Sequence, residues 1–155
     1  MGALGGQMAK KKKVRPIPKG YNSVQVSLNL SDAKGAMNFV KKAFGGKVRA
    51  VMPGADGKIM HAEVKLGDTL LLFSDSVQEP PRPANLFMYV SSVDKTFAKA
   101  VKAGAKVIMP VSDMFWGDRW GRVEDPYGNR WSIATHVEDV SPKEMKKRMA
   151  AMAKK

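Results

Sequence analysis

Two histidines and no cysteine bound the chemistry open to this chain. Disulfides, thiolate nucleophiles and cysteine-held metals are all excluded. His61 stands two residues before Glu63, a spacing that puts both side chains on one face of a strand. Such a pair can ligate a metal or move a proton, or it can be a structural hydrogen bond. His136, beside Thr135 past the last strand pattern, can face a cavity mouth or a subunit contact. A third group is aromatic: Trp116, Trp120 and Trp131 lie near Phe115 and Tyr127, with Arg119 and Arg122 among them. An aromatic-lined pocket with a few polar groups suits a planar or amphipathic small molecule, with arginine for an anionic end. Phe115 and Trp131 read equally well as core. Trp116 and Arg119, in the Gly117-containing loop before a strand, are the better candidates for a cavity lip.

The elements that must position these residues follow from periodicity and turn chemistry. Val24, Val26, Leu28 and Leu30 alternate with polar partners, which predicts a half-buried strand over Ser23–Leu30. Ser31 or Asp32 then caps a helix carrying Ala36, Phe39, Val40 and Ala43 at helical spacing, and Gly45-Gly46 ends it. Strands are predicted over Lys47–Met52, Ile59–Leu66 and Thr69–Phe73, with turns at Pro53–Gly57 and Gly67-Asp68. The same order then returns: a strand over Leu86–Val90, a helix over Val93–Ala103 stopped by Gly104, and strands at Val107–Met109, Gly121–Glu124 and Arg130–Ala134.

Corresponding positions sit about 60 residues apart: Leu30 with Val90, Gly45 with Gly104, Glu63 with Glu124, Gly67 with Gly128. The chain is a duplicated βαβββ module, and a repeat of this size constrains the fold more than local propensity does. The modules span about residues 21–77 and 84–138, inside a domain of residues 20–142, with a proline-stiffened linker at Gln78–Pro83. Ser141-Pro142-Lys143-Glu144 is a capping box opening an amphipathic, basic helix over 141–155, with Met145, Met149 and Met152 as a stripe. That stripe is expected to pack on its own domain or on a partner subunit.

The net charge of +13 is concentrated in the tails. Residues 1–19 carry six basic groups and no acid, in what reads as a disordered basic arm, and residues 143–155 carry six against Glu144. The remainder is nearly neutral, so nucleic acid is not the expected partner. No apolar run approaches the roughly 20 residues that span a bilayer. MGALGGQ lacks the features of a signal peptide, and with no cysteine the expected location is a reducing, cytoplasmic one.

The two βαβββ halves, together with Phe115-Trp116-Gly117-Asp118-Arg119, Asp125-Pro126-Tyr127-Gly128 and Ala134-Thr135-His136-Val137-Glu138-Asp139, resemble the vicinal oxygen chelate superfamily. This is the glyoxalase/bleomycin-resistance/dioxygenase fold; the nearest resemblance is to small bacterial glyoxalase-like proteins of mostly unassigned activity. The resemblance covers about residues 16–149. It implies an α+β fold, two modules forming an incomplete β-barrel around a cavity, and a homodimer. Metal-dependent members hold a divalent cation on the first and last strands of each half. The corresponding positions here are Gln25, Leu71, Asn85 and Ser132, which supply neither imidazole nor carboxylate.

The resemblance and these substitutions together imply a metal-free small-molecule-binding protein, in the manner of drug-binding resistance proteins. Its expected ligand-binding residues are Gln25, His61, Asn85, Trp116, Arg119 and Ser132, with no catalytic residue assigned. The alternatives are an enzyme of the same fold, a lyase for example, using a metal at a rearranged His61/Glu63 site, and a polyanion-associated protein acting through its basic tails.

Overall fold

In a computed structural model, residues 14–153 are described; the basic arm expected over residues 1–19 lies mostly outside them. The chain runs β1 (Val26–Leu30), α1 (Ala33–Phe44), β2 (Lys47–Pro53), β3 (Ile59–Leu66) and β4 (Thr69–Asp75). It continues through β5 (Asn85–Tyr89), α2 (Val93–Lys102), β6 (Lys106–Asp113), β7 (Asp118–Glu124), β8 (Arg130–His136) and α3 (Pro142–Met152). The strands form two four-stranded mixed sheets, ordered β1-β4-β3-β2 and β5-β8-β7-β6. In each, the first strand runs parallel to the last and the other pairs are antiparallel.

The repeat is a structural one. Asp32 caps α1 by accepting from the Gly35 amide at 2.8 Å, and Ser92 caps α2 by accepting from Lys95. Gly45 ends α1 at φ +73°, the left-handed conformation that glycine reaches without Cβ strain. Behind each cap a β-strand residue braces the helix start. Asp75 accepts from the Ala33 amide at 2.8 Å, and Thr135 accepts from the Val93 amide at 2.8 Å.

Each helix covers one face of its sheet, and the two helices pack on each other. A single core results, drawn from Leu28, Leu30, Phe39, Val40, Val64 and Phe73 of the first module and Val93, Val123, Trp131 and Ile133 of the second. The rings of Phe44 and Trp131 meet across the modules at 4.7 Å. Gly35 lets α1 approach so closely that a Cβ there would lie 2.2 Å from the Tyr127 hydroxyl. Truncating a fully buried aromatic such as Phe73 or Trp131 to alanine removes about 3–5 kcal/mol.

Among the described residues no ladder joins the two sheets, and no closed barrel forms. The linker lies along β1 instead, with the Arg82 amide donating to the Asn29 carbonyl at 2.9 Å. The helices' sharing of one face leaves the other face of each sheet uncovered by helix. β1 is shorter than its alternation predicts: Val24 is 81% exposed and outside the ladder. Trp131 is a core residue, as one of its two readings had it. No described helix is long and apolar enough to cross a membrane.

Candidate ligand-binding site

The face of the second sheet turned away from the helices is set by strand parity. Trp131 and Ile133 of β8 point into the core, so Arg130, Ser132, Ala134 and His136 point outward. Register then builds rows across the sheet. Phe87, Ser132, Arg122 and Met109 form one row, and Tyr89, Ala134 and Trp120 form the next. Phe87 and Tyr89 have ring centroids 5.2 Å apart and remain 54% and 63% exposed, on a surface where apolar rings are normally covered.

At the end of this face lies a buried carboxylate. Asp118 accepts from the Trp116 indole Nε1 at 3.0 Å, the Tyr89 hydroxyl at 2.9 Å and His136 Nδ1 at 2.8 Å. Burial opposes its charge, but these three donors outweigh that and hold the carboxyl below the usual carboxylate range. The same bond, reinforced by Asp139 at 2.9 Å from Nε2, raises His136 above an ordinary histidine. Tyr89 is likewise raised by its bond to Asp118. The cluster ties together β5, the loop before β7, β7 itself and the end of β8. Its effect is to fix the Trp116 and Tyr89 rings.

Trp120 packs edge-on to Trp116 at 6.1 Å and lies under the Arg122 guanidinium at 5.2 Å. Gly117 makes the loop possible: at φ +98°, a Cβ would sit 2.1 Å from the Glu138 carbonyl oxygen. Its own carbonyl accepts from the Val137 and Glu138 amides at 2.9 and 3.0 Å. Outside the loop, α3 is anchored through Arg148, which donates to the Phe115 carbonyl at 3.1 Å and ion-pairs with Glu138 at 2.7 Å. α3 is thus held to its domain by this arginine and not by the expected methionine stripe, of which Met149 and Met152 stay exposed.

The structure divides the sequence-predicted residues between places. Asn85, Ser132 and Trp116 belong to the second sheet's outer face and its rim. His61 belongs to the first sheet, whereas Gln25, expected on the first strand, lies just before β1, outside the ladder. Gln25 donates to the Asn22 carbonyl at 3.1 Å, and His61 Nε2 lies 3.2 Å from Glu63 Oε1. Tyr21 also donates to Glu63, and this bond, together with the one from His61, holds the Glu63 carboxyl low against its burial. Arg119 points the opposite way from Trp120, toward α2, where it pairs with Asp94 at 2.8 Å and Asp113 at 3.1 Å. Leu71 faces the core, and Ser132 Oγ accepts from Arg122 Nε at 3.1 Å.

Sequence reasoning missed Phe87, Tyr89 and Asp118 as neighbours of the site. A signal for the first two existed, since residues at alternate positions from Asn85 share its face. Asp118 had none, because two of its three donors, Tyr89 and His136, come from far along the chain. A cleft of about 750 Å³ opens between the modules, lined by Val26, Phe44 and Leu71 on one side and by Asn85, Phe87 and Tyr89 on the other. Strand β5 thus borders both the cleft and the aromatic face.

Comparison with known proteins places this geometry. The sequence profile of the Glyoxalase/Bleomycin resistance protein/Dioxygenase superfamily matches residues 22–133. An uncharacterized protein of Mycobacterium bovis is 32% identical over 136 residues, covering 80% of this chain and 90% of that protein. The crystal structure of TioX from Micromonospora sp. ML1 is similar with a TM-score of 0.64 at 27% identity, over 75% of this chain and 100% of that one. TnmS3, an antibiotic binding protein from Streptomyces sp. CB03234, is similar with a TM-score of 0.60 at 26% identity, over 74% and 96% of the two chains.

Proposed function

The chain belongs to the glyoxalase/bleomycin resistance protein/dioxygenase superfamily, and from that premise we propose that it binds an aromatic small molecule without a metal. The observation that carries this reading is the outer face of the second sheet, where Phe87 and Tyr89 stand exposed beside an anchored Trp116. Rings fixed before binding lose little freedom when a ligand stacks on them. The similarity to a protein described as antibiotic binding supports the same class of ligand.

The donor chemistry supports a metal-free site. Gln25, Leu71, Asn85 and Ser132 offer no anionic or imidazole donor; Leu71 is buried in the core and Ser132 already accepts from Arg122. At the alternative location, Glu63 is engaged by Tyr21 and His61, and no group of three or more metal-binding His, Asp or Glu residues occurs among the described residues. A homodimer of cytoplasmic protein is part of the proposal. The outer strands β2 and β6 are unpaired on one edge and expose Val51, Met52, Val107 and Met109, surface that a second copy can cover. Light scattering at micromolar concentration is expected to return about twice the chain mass; a monomer removes that part of the reading.

The central test is a thermal-shift screen of planar aromatic antibiotics. A ligand at a hundred times its Kd stabilises by about 2.7 kcal/mol, or roughly 5–10 °C for a chain of this length. Phe87→Ala and Trp116→Ala should each reduce that shift. A hit whose shift survives both substitutions binds elsewhere, and a screen with no hits counts against the reading.

A further inference from the structure

Arg122 is the unpaired cation of the aromatic face. Its Nε donates to Ser132 Oγ at 3.1 Å and its guanidinium carbon lies 5.2 Å from the centroid of the Trp120 ring. Among the described residues no carboxylate lies within ion-pair distance of its two terminal nitrogens. The other arginines near the site, Arg119, Arg130 and Arg148, each hold a carboxylate at 3.1 Å or less. Arg122 is thus held in one orientation by a hydroxyl and a ring, with half its fork left open.

A second observation concerns the same tryptophan. Trp120 is only 8% exposed, and its indole Nε1 is buried with no hydrogen-bond partner. Buried N–H groups are seldom left unpaired, so the ring that carries the Arg122 guanidinium also holds a donor short of an acceptor. The row that contains Arg122 is otherwise Phe87, Ser132 and Met109, so the cation stands in line with the exposed Phe87 ring.

Resting on the reading of this face as a ligand site, we infer that it contains an anion subsite centred on Arg122, which takes the carboxylate of a planar aromatic acid. The planar guanidinium offers its two terminal nitrogens as parallel donors matching the two oxygens of a carboxylate. The ring attached to that carboxylate then lies toward Phe87 and Tyr89, whose rings are adjacent at 5.2 Å. Ser132 is a positioning residue: it holds Nε so that the open edge of the fork faces the ligand. This assigns the anionic end to Arg122 in place of Arg119, whose guanidinium is already occupied by Asp94 and Asp113.

The test compares 2-naphthoate with its neutral counterpart 2-naphthamide, titrated into the full chain and read by tryptophan fluorescence and calorimetry. The carboxylate is expected to bind about ten- to a hundredfold more tightly, the range of a charge-assisted hydrogen bond. R122Q should remove that preference by weakening naphthoate at least tenfold more than it weakens naphthamide. R122K, which keeps the charge and loses the fork, should fall between. S132A should weaken naphthoate alone. Equal affinity of the unmodified protein for the two probes, or equal loss of both in R122Q, overturns the anion subsite while leaving the aromatic wall as a binding surface. Failure of both probes to bind up to millimolar concentration overturns the subsite and counts against the wall together.

Discussion

Replacing Asp118 tests whether the aromatic wall is held by the buried carboxylate. The side chain is 3% exposed and accepts three hydrogen bonds, from Trp116, Tyr89 and His136. Hydrogen bonds to a charged group are worth about 1.5–3 kcal/mol each when both partners are buried. Tyr89 and His136 are half exposed or more and regain water when released, so their share is well below that range. We expect Asp118→Ala to lose about 2–3 kcal/mol in urea unfolding, and Asp118→Asn, which can still accept from two donors, about 1 kcal/mol. The alanine variant should melt about 5–10 °C lower. A cycle with Tyr89→Phe should show a coupling of about 0.5–1 kcal/mol. An alanine variant within about 0.5 kcal/mol of the parent, or strictly additive effects in that cycle, would refute the reasoning.

The pH dependence gives the same substitution a second readout. The folded-state carboxyl of Asp118 is below its ordinary value, so its contribution is present above the ordinary carboxylate range. It disappears as pH falls through the depressed value. His136 is raised, so its contribution is complete below an ordinary histidine pKa of about 6.5 and is lost as pH rises through the folded value. Stability should therefore decline on the mildly alkaline side as well as in acid. Asp118→Asn should flatten both limbs, because the Asp118 bond is the larger of the two that raise His136. An unchanged profile in that variant would contradict the assignment.

Three further outcomes follow from the geometry. Gly117→Ala places a Cβ 2.1 Å from a backbone oxygen at positive φ, and should lose roughly 2–4 kcal/mol in chemical unfolding with the loss centred on the 114–118 loop. Arg119→Gln should leave aromatic-ligand affinity unchanged within twofold by calorimetry, because that side chain is on the helix side of β7; a larger loss would place it at the ligand after all. Arg148→Ala should speed amide exchange across 142–152 with little change at β5 or β8, since the anchor it removes joins α3 to Phe115 and Glu138.

Most of the fold was legible because its signals are local. The cap at Asp32, the helix stops at Gly45 and Gly104, and the turns at Gly67 and Gly128 all use residues with short-range conformational reasons to be there. Repeated at a spacing of about 60, they identify two copies of one module. Where a signal depended on neighbours it failed. β6 runs to Asp113 instead of stopping near Met109, because two register shifts against β7 break its alternation. The alternation at Val24 has no ladder to join, since the pairing of β1 with β4 begins only at Val26.

The candidate site shows the same division more sharply. Residue types established that tryptophans and arginines cluster between 115 and 131, and the resemblance put Gln25, Leu71, Asn85 and Ser132, which supply neither imidazole nor carboxylate, at the family's ligand positions. Strand parity alone also separates Arg119 from Arg122, but both sets of alternate residues contain an arginine and bulky apolar groups. Which set faces outward was decided only when α2 packed against β7, where Phe97 fills the space over Gly121. That packing turned Arg119 toward Asp94 and left Arg122 on the open face. The burial of Asp118 likewise needed Tyr89, 29 residues earlier, and His136, 18 residues later, to arrive as donors. The sequence determined which residues were available; long-range packing determined which of them share a face.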